Sequence, residues 1–61
     1  MILKNLLGIT AANTKISVLF KSEELAESGS AYELYTKGKY RGKKILRQEI
    51  IKERLFIIID F

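Results

Sequence analysis

The residues best suited to chemistry are the cations and rings of Lys37 to Lys44, which read Lys-Gly-Lys-Tyr-Arg-Gly-Lys-Lys. Lys37, Lys39, Arg41, Lys43 and Lys44 surround Tyr40, with Tyr35 nearby. Rings interleaved with cations can stack bases while the cations meet phosphates. Lys37, Lys39, Tyr40, Arg41, Lys43 and Lys44 are therefore the candidate residues for binding an anion, nucleic acid included. Gly38 and Gly42 lend the stretch a superficial likeness to a phosphate-binding loop. A Walker A motif, however, has four residues between its glycines and then Gly-Lys-Ser/Thr, so that a hydroxyl reaches Mg²⁺. Here three residues intervene and Lys44 stands where the hydroxyl would be. Nucleotide hydrolysis is not expected. The plainer alternative is a solvated basic loop whose tyrosines pack on the edge of the core.

Much other chemistry is excluded by composition. With no histidine and no cysteine there is no Ser-His-Asp arrangement, no thiolate nucleophile and no H-E-x-x-H site. Acid-base work would fall to Asp60, the glutamates, the lysines or the tyrosines. Glu23, Glu24 and Glu27 could gather on a helix and hold Mg²⁺ weakly through waters, but a solvated acidic surface is the favoured reading. The expectation is a protein that is not an enzyme and has no cofactor, no catalytic residues and no metal site.

The chain of 61 residues is one domain spanning 1–61. A domain of this size buries only roughly 60% of its unfolded surface. Disulfides and the usual zinc sites are absent, which leaves close packing or self-association as supports. With 48% hydrophobic and 30% charged residues it is globular. The net charge of +4 is unevenly spread. Glu23 to Glu33 is acidic and Lys37 to Arg54 mainly basic, a polarity able to steer an acidic partner or to orient self-association. The apolar run Met1 to Ile9 is too short for a secretory signal and is broken by Lys4 and Asn5. A cytoplasmic product with no membrane role is expected.

The elements that would carry these residues follow from hydrophobic spacing. Leu3, Leu6 and Leu7 make one face of a short helix ended by Gly8. Lys15 to Phe20 alternates as a strand with Ile16, Val18 and Phe20 on one face and Lys15, Ser17 and Leu19 on the other, one side being solvated. For Lys21 to Thr36 two readings stand. In the preferred one, Glu23 to Ser28 is a strand, Gly29 a break, and Ser30-Ala31-Tyr32-Glu33 the capping box of a helix. In the other, a helix at Ser22 to Glu27 precedes a strand at Tyr32 to Thr36. Ile45 to Ile51 and Leu55 to Phe61 read as a hairpin joined at Lys52-Glu53-Arg54. A helix over Ile45 to Arg54, rich in good helix formers, is the alternative for the first arm, weakened because its apolar positions do not gather on one face.

The last strand is the most apolar stretch of the chain. It places Leu55, Ile57, Ile59 and Phe61 on one face and Phe56, Ile58 and Asp60 on the other. The predicted class is α+β, a small antiparallel sheet of three to four strands with one or two short helices in the order α-β-β-α-β-β. If both helices cover one face, Phe56 and Ile58 need cover on the other. A homodimer with Phe56 or Ile58 near the contact is therefore expected.

The Leu3-x-x-Leu6-Leu7 helix, the Thr14-Lys15-Ile16-Ser17-Val18 strand, the Gly29-Ser30-Ala31-Tyr32-Glu33-Leu34 segment and the apolar closing hairpin together resemble short uncharacterised phage or mobile-element proteins of low-GC Gram-positive bacteria. The resemblance implies an accessory or counter-defence protein that acts by binding. The leading expectation is thus a small non-enzymatic binding or inhibitor protein working through contacts with an unidentified protein partner. The alternative is a nucleic-acid-binding module using Lys37 to Lys44.

Overall fold

The structure, a computed structural model, describes all 61 residues. The elements follow the order α1 (Leu3–Gly8), β1 (Lys15–Leu19), β2 (Leu25–Ser30), α2 (Ala31–Lys37), β3 (Ile45–Ile51) and β4 (Arg54–Ile59). The four strands form one sheet in the spatial order β2-β1-β4-β3. The α+β class and the order α-β-β-α-β-β are those predicted from hydrophobic spacing.

The sheet is mixed rather than wholly antiparallel. β1 and β2 form one antiparallel hairpin and β3 and β4 another, but β1 and β4 meet at the centre in parallel. The cause lies in α2, which carries the chain from one edge of the sheet to the other. β3 therefore runs in the same direction as β2, and its hairpin partner β4 must run alongside β1. A crossover of this kind is what parallel neighbours require.

All core side chains lie on one face. Ile16 and Val18 of β1, and Ile57 and Ile59 of β4, pack with Leu3 and Leu7 of α1 and Ala31 and Leu34 of α2. Each of these eight is buried. Both helices are short enough to be unstable alone, so docking their leucines on the sheet is what holds them helical.

α2 begins without a loop. Ser30 is the last residue of β2 and also the helix cap: the Glu33 N–H donates to Ser30 Oγ at 3.1 Å, and the Ser30 N–H donates to Glu33 Oε1 at 3.0 Å. The next two free amides are satisfied from the α1–β1 connector, Ala31 by Thr14 O at 2.9 Å and Tyr32 by Ala12 O at 3.0 Å. The expected helix start is thus correct, and the helix-then-strand alternative is excluded.

Several boundaries differ from expectation. β2 starts at Leu25 rather than Glu23, because Glu23 turns the chain with a φ of 70° and bonds back to Phe20 O. Gly29 does not break the strand; it pairs with Ile16 inside β2 at a φ of 156°, a conformation that glycine alone adopts readily. The second hairpin turns on Lys52 and Glu53 alone, both at positive φ (49° and 65°), as a two-residue type I′ turn requires, and Arg54 joins β4. Phe61 likewise lies beyond β4, which ends at Ile59.

Candidate functional site

The sheet has a second face that no helix covers. Strand alternation places Leu19 beside Ile58 and Ser17 beside Phe56 at its centre. Leu25 flanks Leu19 on β2, while Arg47 and Glu49 flank Ile58 and Phe56 on β3. Leu19, Phe56 and Ile58 are half-buried, and Leu25 and Ile51 are exposed. Leu19, Phe56, Ile58 and Ile51 line a shallow depression of about 160 Å³ walled by Glu23, Arg47 and Glu49.

Charge closes this apolar strip at both ends. At one end lie Lys15 and Arg54, which open the two central strands; at the other lies the acidic β1–β2 turn with Glu23 and Glu24. Ser17, expected on a solvated side, is buried, and the Arg54 Nη1 donates to its Oγ at 3.1 Å. Phe56 and Ile58, named from the sequence as self-association residues, occupy the middle of this uncovered face.

The basic loop is a different kind of surface, because much of it is engaged in holding the fold together. The Tyr40 ring meets Phe20 edge-on at 5.4 Å between centroids and Phe61 at 5.6 Å, so it packs in an aromatic trio at the end of the sheet. The Arg41 guanidinium closes the C-terminal end of α2. Its Nε donates to Gly38 O at 2.9 Å and its Nη1 to Tyr35 O at 3.1 Å. These are carbonyls that a helix end leaves without partners, and a cation there also meets the negative end of the helix dipole.

The remaining loop residues divide between anchored and free. Lys43 holds its Nζ 4.1 Å from the centre of the Phe61 ring, a cation–π geometry. Its carbonyl accepts from Leu3 N at 2.8 Å, and Arg41 O accepts from Lys4 N at 2.8 Å, so the start of α1 clamps the loop backbone. The Lys39 N–H donates to the Glu27 carboxylate at 3.1 Å. The Lys37, Lys39 and Lys44 side chains are exposed. The structure thus gathers the loop at one end of the molecule but turns Tyr40 inward and directs Arg41 to a helix end.

Glu23, Glu24 and Glu27 sit on a turn and a strand rather than on one helix, and no three acidic side chains converge as a metal-binding group would. The Ser30 backbone N–H and then its hydroxyl hold the Glu33 carboxyl below the ordinary glutamate range. No helix is long and apolar enough to cross a membrane. The chain matches no protein-family model, no curated protein and no solved structure.

Proposed function

We propose that this protein is a non-enzymatic binding module that recognises a protein partner through the uncovered face of its sheet. The observation that carries this reading is the strip Leu25, Leu19, Ile58 and Phe56, left bare because both helices pack on the opposite face. A contiguous apolar strip rimmed by charge is the usual anatomy of a protein contact. The partner it suits is apolar at its centre, with an acidic group for Lys15 and Arg54 and a basic one for Glu23 and Glu24. Work of this kind agrees with the accessory, binding-only role implied by the resemblance to phage and mobile-element proteins.

Nucleic acid is the weaker reading. The Tyr40 ring is packed between Phe20 and Phe61, so the loop no longer interleaves a free ring with its cations. Lys37, Lys39 and Lys44 remain as exposed charges, with Tyr35 the exposed ring nearby.

The test uses Leu25→Lys and Ile58→Lys, together and singly, in a tagged copy expressed in native cells. A partner that co-purifies with the wild type at about 0.5 M salt and is lost from folded variants supports the reading. Retention by the double variant overturns it. Binding of oligonucleotides that falls steeply with salt and depends on Lys37, Lys39 and Lys44 would assign the function to the basic loop instead.

A further inference from the structure

β3 is an edge strand, and its outer side is open along most of its length. Edges of this kind offer unpaired N–H and C=O groups to any strand that fits, and folded proteins blunt them by covering or by charge. Here the cover is partial. Ile2 bridges Lys44, and Ile45 N donates to Met1 O at 2.9 Å, so the N-terminal residues shield only the beginning of β3. From Leu46 to Ile51 every residue is exposed, including Leu46, Ile50 and Ile51, with Ile50 at 75%.

The order of these residues is symmetric about Gln48. Leu46-Arg47-Gln48-Glu49-Ile50 runs apolar, cation, amide, anion, apolar. An antiparallel copy of the same strand, turned about a two-fold axis at Gln48, therefore sets Arg47 opposite Glu49 and Gln48 opposite itself. It brings Leu46, at the irregularity between Ile45 and Arg47, near Ile50 only where the ladder ends. Opposite charges directly across a ladder are among the pairs that stabilise it.

The backbone agrees with this register. The turn Lys52-Glu53 makes Ile51 and Arg54 the closing pair of the hairpin, a pair that exchanges both backbone hydrogen bonds. Alternation then turns the N–H and C=O of Glu49 and Arg47 toward β4 as well, and those of Gln48 and Ile50 toward the open edge. Gln48 facing Gln48 is thus a hydrogen-bonded pair, as a two-fold centred there requires. The strand irregularity between Ile45 and Arg47 and the Met1–Ile2 cover both fall at the beginning of this segment, where they stop the ladder and block a slip toward Ile45, while a slip the other way separates Arg47 from Glu49.

We propose that two copies of this chain pair edge to edge through β3, antiparallel about Gln48, into one continuous eight-stranded sheet. The seam lies one strand away from Phe56 and Ile58. It leaves both uncovered faces free and places them side by side, so a dimer presents the surface described under Proposed function twice. The pairing does not depend on that function, because it uses the backbone edge of β3. The Arg47 and Glu49 side chains border both surfaces, so the face is tested by Leu25→Lys and Ile58→Lys and not by the charge reversals.

Sedimentation equilibrium from about 1 to 200 µM tests it, with circular dichroism to verify folding. The wild type should form a species of twice the 7.0 kDa chain mass. Arg47→Glu and Glu49→Arg each set like charges opposite one another at two places per dimer, and each should weaken association by about tenfold or more. Mixing those two variants should restore the dimer, since every cross-strand pair is then again of opposite sign. The double variant Arg47→Glu/Glu49→Arg should dimerise alone for the same reason. Hydrogen exchange gives a second readout: the Gln48 and Ile50 amides should be slowed at high concentration and released on dilution. A folded wild type that stays monomeric throughout overturns the proposal. So does a dimer indifferent to the charge reversals. A dimer abolished instead by Ile58→Lys would place the contact on the open face and overturn the proposal too, whereas retention of the partner by a folded, dimeric Leu25→Lys/Ile58→Lys variant would count against the binding reading alone.

Discussion

The Arg54 Nη1 and the Ser17 Oγ, 3.1 Å apart, form a polar tie across the two central parallel strands. Ser17 is buried, and Arg54 is half-buried over it. Ser17→Ala should remove the acceptor and leave a partly desolvated guanidinium with one fewer partner. A loss of about 1 kcal/mol is expected from urea unfolding, the size typical of one such bond. An unchanged midpoint would show that water replaces the serine without penalty.

The two faces of β4 should respond very differently to truncation. Ile57 is fully buried in the helix-covered core, so Ile57→Ala should cost about 3 kcal/mol or more and approach unfolding in a domain this small. Ile58, half-buried on the open face, should cost about 1 kcal/mol as Ile58→Ala. Ile58→Asp should still give a folded protein, of reduced melting temperature. Thermal melts of the three variants provide the comparison.

Tyr40 belongs to the packing of the sheet end, between Phe20 and Phe61. Tyr40→Ala should destabilise by about 2 kcal/mol, since a half-buried ring loses both its area and its edge-to-face contact. Tyr40→Phe keeps the ring and should stay within about 0.5 kcal/mol of the wild type. If Tyr40→Ala melts like the wild type, the ring does not hold the loop in place.

The capping box at Ser30 and Glu33 gives the fold a dependence on acid. Because the folded protein holds the Glu33 carboxyl below its ordinary range, the box contributes fully above the unfolded value of about 4.3. That contribution is lost as pH falls through the lower folded value. Glu33→Gln still offers an oxygen to the Ser30 N–H but does not titrate. The melting-temperature gap between wild type and Glu33→Gln should therefore shrink as pH is lowered from about 6 to about 2. A constant gap would mean that the carboxylate charge is irrelevant to the cap.

The parts of this architecture that were legible in the sequence are those with short-range causes. The Ser30 to Glu33 spacing located the start of α2, the leucine spacing located α1, and the β-branched runs located the second hairpin. β2 was harder to place, because Glu23 to Ser30 lacks an alternating pattern and its boundary depends on a positive φ at Glu23. The parallel pairing of β1 with β4 results from the path of α2 over the sheet and has no local signal. The Phe20, Tyr40 and Phe61 trio joins three distant parts of the chain for the same reason. Arg41 looked like a ligand-binding cation, and only the folded helix end reveals that its donors face the carbonyls of α2. For the open face, the period-two pattern did identify Phe56 and Ile58 as its centre.

The parallel seam between β1 and β4 also governs how the molecule opens. Each hairpin joins neighbours in sequence and can form in microseconds by itself, whereas the seam joins opposite halves of the chain and bears the large loop-closure entropy. Docking of the two hairpins along this seam is therefore the step expected to limit folding, and variants at the seam should retard refolding while changes in the turns mostly speed unfolding. The strand segments Ile16 to Val18 and Leu55 to Ile57 lie at the middle of the sheet with neighbours on both sides. Their amides should exchange with solvent only when the whole chain unfolds.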